Sequence, residues 1–139
     1  MTRQEQIIWA AGFFDGEGYI GICKKKVKET VSHCLKLQVT NVVPTPLQDL
    51  KDLFGGSIYK KNRCKSHHRD AFTWQAEHII ATNAIIELLP FLRVKKDEAL
   101  LGLEFQSRKK SYGTKVSMEE LEQREKYYVK MKELKHREY

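Results

Sequence analysis

Trp9-Ala10-Ala11-Gly12-Phe13-Phe14-Asp15-Gly16-Glu17-Gly18 is the stretch on which the reading of this chain turns. Just upstream, Thr2-Arg3-Gln4-Glu5 has the form of a capping box, in which the threonine hydroxyl and the glutamate carboxylate cover the first free amides of a helix. That helix carries Ile7, Ile8, Ala10, Ala11, Phe13 and Phe14, and the glycines at 16 and 18 are expected to end it. Ala11 and Asp15, and likewise Gly12 and Gly16, stand four residues apart, a spacing of small groups that lets a second helix backbone approach closely. Two copies crossing at a twofold axis would bring their Glu17 carboxylates together, and convergent carboxylates require a shared proton or a divalent cation. The same residues also suit an ordinary helix-ending turn with Asp15 and Glu17 in water, and spacing alone leaves both readings open.

Working outward, residues 19–23 and 33–40 alternate as strands, with Leu35, Leu37 and Val39 opposing Cys34, Lys36, Gln38 and Thr40, and together they predict a hairpin with a charged tip. Thr45-Pro46-Leu47-Gln48 offers a second capping box, followed by Leu47, Leu50, Leu53 and Phe54 on one face until Gly55-Gly56 stops the helix. Residues 57–61 and 71–76 predict another strand pair. A core helix over 77–89 follows, then a helix that Pro90 is expected to open, and last a charged helix over residues 117–139 behind a third capping box, Ser117-Met118-Glu119-Glu120. The order is α-β-β-α-β-β-α-α-α within one domain, 1–139. Consecutive strand pairs imply antiparallel pairing and an α+β class, because parallel strands need helical crossovers.

Composition narrows the class. In 139 residues, 41% are hydrophobic, enough for a core, and 25 Lys+Arg against 18 Asp+Glu leave a net charge of +7, which points to a polyanionic partner. The hairpins over 19–40 and 56–76 carry +4 each, through Lys24, Lys25, Lys26, Lys28 and Lys36 on the first and Lys60, Lys61, Arg63, Lys65 and Arg69 on the second. One sheet presenting these with Gln38, Asn62, Ser66 and His68 resembles a nucleic-acid surface; lysines placed at hairpin tips for solubility are the simpler alternative. Residues 79–92 are interrupted by Thr82, Asn83, Glu87 and Pro90, so no membrane span is expected, and Asp15 and Glu17 stand where a leader peptide would place its cleavage site. Three cysteines with no CxxC pair fit a reducing, intracellular compartment. A zinc site from Cys64, His67 and His68 with Cys23 or Cys34 lacks regular ligand spacing and is not expected.

AAGFFDGEG, residues 10–18, resembles the defining motif of the LAGLIDADG homing endonucleases. The αββαββα order is similar to that family's half-saddle, and Pro90-Phe91-Leu92-Arg93-Val94-Lys95 is similar to the segment that carries a basic residue toward its active site. The resemblance implies a site-specific, double-strand DNA endonuclease, intron-encoded, cutting across the minor groove and leaving short 3′ overhangs. It also implies a divalent ion, Mg2+ with Mn2+ able to substitute, held by the Glu17 carboxylate and the Gly16 carbonyl. Glu stands where the name-giving motif has Asp, one methylene longer but still a hard oxygen ligand. Asp15 matches the acid that holds the motif helix and turn, Asn41 a position that orders water, and Lys95 the cation that offsets charge at the phosphate. As a turn residue before Val42-Val43-Pro44, or as one lysine among several at a helix start, Asn41 and Lys95 also have plain structural readings.

One motif in 139 residues implies half a saddle, hence a homodimer joined at Ala11, Gly12 and Asp15 and a near-palindromic target. A two-stranded ribbon fits the major groove of double-stranded DNA, and Lys24, Lys26, Lys36, Gln38, Lys61, Arg63, Arg69 and Gln75 are the candidate readers. Tyr59, Phe72 and Trp74 are expected on the helix-packed face. The family also contains catalytically silent members, RNA maturases and DNA-binding regulators, which form the alternative; a basic RNA-binding protein of unrelated origin is a further one. The last helix, with Leu121, Tyr128, Met131 and Leu134, is expected to pack on its own domain.

Overall fold

The computed structural model describes residues 1–61, 69–109 and 116–139. Helix α1, Arg3–Glu17, starts as the capping box requires: the Glu5 amide donates to Thr2 Oγ1 at 3.1 Å and the Thr2 amide donates back to Glu5 Oε1 at 3.0 Å. It runs on through Gly16, and the Gly18 amide closes its last turn on the Phe14 carbonyl. Strands β1, Gly18–Val27, and β2, Thr30–Asn41, form the first hairpin, longer than expected because the lysine-rich tip is itself paired. Its two-residue turn holds Lys28 at φ 56°.

Helix α2 spans Thr45–Phe54, but the capping box expected at its start does not form. Pro44 is the N-cap, so Thr45 is already helical, and Gln48 donates to Asp52 Oδ1 at 2.8 Å instead of reaching back. Gly55 and Gly56 adopt φ 86° and 90°, and a Cβ on Gly56 would lie 2.5 Å from the Gln75 carbonyl, so glycine is required there. Beyond lie β3, Ser57–Lys61, β4, Ala71–Glu77, and α3, His78–Leu88. The helix expected to begin at Pro90 begins later: Pro90 sits in a short 3-10 turn, Leu89–Phe91, Leu92 is extended, and α4 covers Lys96–Ser107. Helix α5, Met118–Lys135, is capped by Ser117, whose Oγ accepts from the Glu120 amide at 3.2 Å. The Glu120 carboxylate turns to Arg124 and Arg108, so this box is half-formed.

The four strands make one antiparallel sheet in the order β1-β2-β4-β3. Its register separates two faces, because side chains alternate along each strand. Ile20 opposite Leu37, Ile22 opposite Leu35, and Val39 opposite Trp74 are buried beneath the helices with Ala76. Phe14 of α1, Leu47 and Leu50 of α2, Ile85 of α3 and Phe105 of α4 complete this core, each large side chain contributing ~1.5–3 kcal/mol by leaving water. Trp74 also donates from Nε1 to the Gly55 carbonyl at 2.9 Å, which fixes the end of α2 against β4. Helix α4 sits so close to the sheet that a Cβ on Gly102 would come within 2.8 Å of Leu35. Helix α5 packs on its own domain through buried Met131, and Glu125 pins it by accepting from Lys24 Nζ at 3.0 Å and pairing with His33 Nε2 at 2.9 Å.

Candidate metal and nucleic-acid site

The opposite sheet face, free of the helical core, carries Lys36, Gln38, Thr40, Tyr59, Lys61 and Gln75. Gln38 lies across from Gln75, and its amide donates to the Tyr59 hydroxyl at 3.3 Å; the Thr40 and Thr73 hydroxyls pair at 2.9 Å. This is a polar, cation-flanked ribbon of the kind that reads base edges in a groove. Two of the proposed readers are not on it. Lys24 and Lys26 share the parity of Ile20 and Ile22, and Lys24 is bound to Glu125 of α5. Sequence contained the signal: continuing the buried even-numbered positions of β1 places both lysines on the helix side. Lys25, which was not singled out, has the open-face parity and pairs with Glu77 at 3.7 Å. Arg69 is exposed just before β4, and Arg63, with Asn62, Ser66 and His68, lies outside the described residues. Phe72 and Trp74 are on the helix-packed face as expected, whereas Tyr59, opposite Thr73, is on the open one.

At the end of α1 the motif assembles a second feature. The Asp15 carboxylate accepts three consecutive backbone amides, Arg93 at 2.8 Å and Val94 and Lys95 at 3.1 Å. Those bonds hold residues 93–95 in a bend before α4, which is why Pro90 does not open a continuous helix. They also place Lys95 so that its ammonium donates to the Asp15 carbonyl. Glu17 follows two residues later, exposed, and among the described residues no hydrogen bond or ion pair engages its carboxylate. Gly16 is exposed beside it, at the helix end where unpaired carbonyls concentrate negative potential. Exposed Lys135 reaches the neighbourhood from α5, its ammonium 4.2 Å from the centre of the Tyr19 ring. Burial lowers its pKa first, and Lys95 lies within its electrostatic reach. Nothing in the local sequence announces this cation, since α5 is brought in by tertiary packing.

The residues expected at a dimer contact divide. Gly12 is exposed, and a Cβ there or on Gly16 would meet nothing within 4 Å, so with exposed Ile8 they form an open line at four-residue spacing. Ala11 is instead fully buried in its own core, and Asp15 is occupied with the 93–95 segment. Asn41 ends β2, and its Oδ1 accepts from the Val43 amide at 2.9 Å, the turn-residue arrangement.

A four-stranded antiparallel sheet beneath helices, entered by a helix whose end presents an acid, is the fold of the LAGLIDADG homing endonucleases. The homing endonuclease I-CvuI, solved on DNA with Mg, superposes with a TM-score of 0.81 at 18% identity, over 98% of this chain and 85% of that one. An archaeal intron-encoded homing endonuclease, I-Vdi141I, complexed with DNA, gives 0.76 at 16% identity over 97% and 87%. I-SmaMI, bound to cleaved DNA, gives 0.70 at 18% identity over 90% of this chain but 43% of its own. No protein-family model and no curated protein sequence matches the chain.

Proposed function

We propose that this protein is a homodimeric, divalent-metal-dependent endonuclease that cuts both strands of a long, near-palindromic DNA site. The observation that carries the reading is the exposed Glu17 carboxylate, unengaged among the described residues and two positions beyond the Asp15 that holds Lys95, at the end of a helix whose outer face is left open by Gly12 and Gly16. The donor set fits a hard cation: one exposed carboxylate, the Gly16 carbonyl, and room for the waters that Mg2+ retains. Bound there, the ion would supply Lewis acidity and lower the proton affinity of an attached water.

The chain's own groups do the rest. Glu17 would hold the ion. Lys95, fixed by Asp15, offers a cation where negative charge builds up on the phosphate oxygens. The Asn41 amide nitrogen, left free when its oxygen closes the turn, can order a water nearby. Gln38, Gln75, Lys36 and Lys61 read base edges, while Arg69 contacts phosphate. One protomer supplies one such acid, and the 43% coverage of I-SmaMI is in keeping with a unit that works as half of a larger saddle. Free Cys23 and Cys34 suit a reducing compartment, and among the described residues no helix is long and apolar enough to cross a membrane.

The test is to incubate the protein with randomised palindromic duplexes in Mg2+, and separately in Ca2+, and to sequence the ends produced. Defined double-strand breaks in Mg2+ alone are expected. Selective binding without cuts in Mg2+ would overturn the endonuclease and leave a silent DNA- or RNA-binding relative of the same fold.

A further inference from the structure

At the far end of the open face, where the β2–β4 ladder stops at the pair Lys36 and Glu77, three chemically different ligand groups meet. Cys34 Sγ, a Glu77 carboxylate oxygen and a His78 ring nitrogen all lie within 4.8 Å of one another. We infer that Cys34, Glu77 and His78 form a second metal site, selective for a borderline cation of the Zn2+ class and separate from the carboxylate site at Glu17. Thiolate, imidazole and carboxylate are the donor set of such ions, and neither Mg2+ nor Ca2+ seeks a thiolate.

The geometry is that of a poised site. Bonds of about 2.0–2.3 Å from each ligand to a tetrahedral ion put the donors ~3.3–3.8 Å apart, so the three need close by only about an ångström. They come from two strands that stop pairing here, and an ion would tie β2 to the β4–α3 junction beyond the last ladder bond. His78 holds φ 54° at that junction, an unusual conformation for a residue with a side chain. Cys34 is buried and Glu77 and His78 are partly exposed, and a water would complete a tetrahedral set. Cys23, directly opposite Cys34 on β1, is not within that 4.8 Å of all three and is not required.

Two lysines face the cluster. Lys25 pairs loosely with Glu77 at 3.7 Å, and the Lys109 ammonium, bonded to the His33 carbonyl, acts on both Cys34 and His78. Burial, then Glu77 and Cys23, push the Cys34 thiol up to about 11. Burial, then Lys109, lowers the His78 pKa.

The experiment is a Co2+ titration of the full-length, chelator-stripped protein under reducing conditions, followed by Zn2+ competition. A thiolate-to-cobalt charge-transfer band that saturates at one equivalent per chain and is bleached by Zn2+ is expected. Cys34→Ser should abolish the band, His78→Ala should weaken binding by more than ~10-fold, and Cys23→Ser and Glu17→Gln should leave it in place. Because His78 and Glu77 are not core residues, His78→Ala and Glu77→Gln test the site even where Cys34→Ser disturbs folding. Absence of the band in the wild type, or its survival in both Cys34→Ser and His78→Ala, would overturn the assignment. Neither result touches the endonuclease reading, which rests on Glu17.

Discussion

Replacing Asp15 with alanine should both weaken the fold and detach Lys95 from its position. The carboxylate collects three amides, at 2.8, 3.1 and 3.1 Å, and these are the principal polar tie between α1 and the segment before α4. A hydrogen bond to a charged group contributes roughly 1.5–3 kcal/mol, but Asp15 is half-exposed and the freed amides would hydrate, so the net loss for the set is set at roughly 3 kcal/mol. For a domain of this size each kcal/mol moves the melting temperature by roughly 3–4 °C, which makes the expected drop about 10 °C. Asp15→Asn keeps one acceptor oxygen and the shape while losing the charge, and should fall near half of that. Calorimetry and urea unfolding measure the stability, and cleavage assayed well below the melting point measures the Lys95 effect. An Asp15→Ala protein that melts within about 2 °C of wild type and cuts DNA equally well would refute the claim that this carboxylate organises the 93–95 segment.

Gly12→Leu should leave the protomer folded, because its side chain meets nothing within its own chain and leucine is the better helix former, while sedimentation shows the dimer lost; a dimer that persists would remove Gly12 from the helix crossing. Glu125, held below the usual carboxylate range by its bonds to His33 and Lys24, contributes stability that is present above the ordinary carboxylate pKa and fades as pH falls through its lowered value. Acid titration of Glu125→Gln, followed by circular dichroism, should therefore lack that component, and an unchanged acid profile would dissociate Glu125 from the docking of α5. DNA affinity should fall steeply with salt, by a log–log slope of about −0.9 per phosphate neutralised, and a flat profile would contradict the basic face.

Much of this architecture can be read from the chain because local signals agree with the tertiary outcome. The Thr2 capping box, the glycine pair at 55 and 56 and the alternation through Leu35, Leu37 and Val39 each specify one conformation, and together they order the elements α1 to α5 around four strands. Pro90 and Thr45 misled for the same physical reason: a start signal is permissive, and another interaction decided the boundary. At Pro90 it was the Asp15 carboxylate, far away in sequence, capturing the amides that follow. At Thr45 it was Pro44 taking the cap position.

Within the site, Asp15 and Lys95 are joined by hydrogen bonds, with Gly16 and Glu17 following Asp15 in sequence, an arrangement that spacing alone does not distinguish from a solvated turn. Composition points to Lys24 and Lys26, but strand parity places them on the helix side, and helix spacing points to Ala11 although α1 has two small-residue faces and buries one. Lys135 and the Cys34, Glu77 and His78 cluster depend on contacts between distant segments and have no local signature.

The most direct measurement compares wild type and Glu17→Gln on the same cognate duplex, reading binding in Ca2+ and cleavage in Mg2+. The amide keeps the size of the side chain and removes the charge proposed to hold the ion. Binding within a few-fold of wild type, with double-strand cleavage lost, is the predicted result. Cleavage by Glu17→Gln at the wild-type rate would contradict the assignment of Glu17 as the metal ligand.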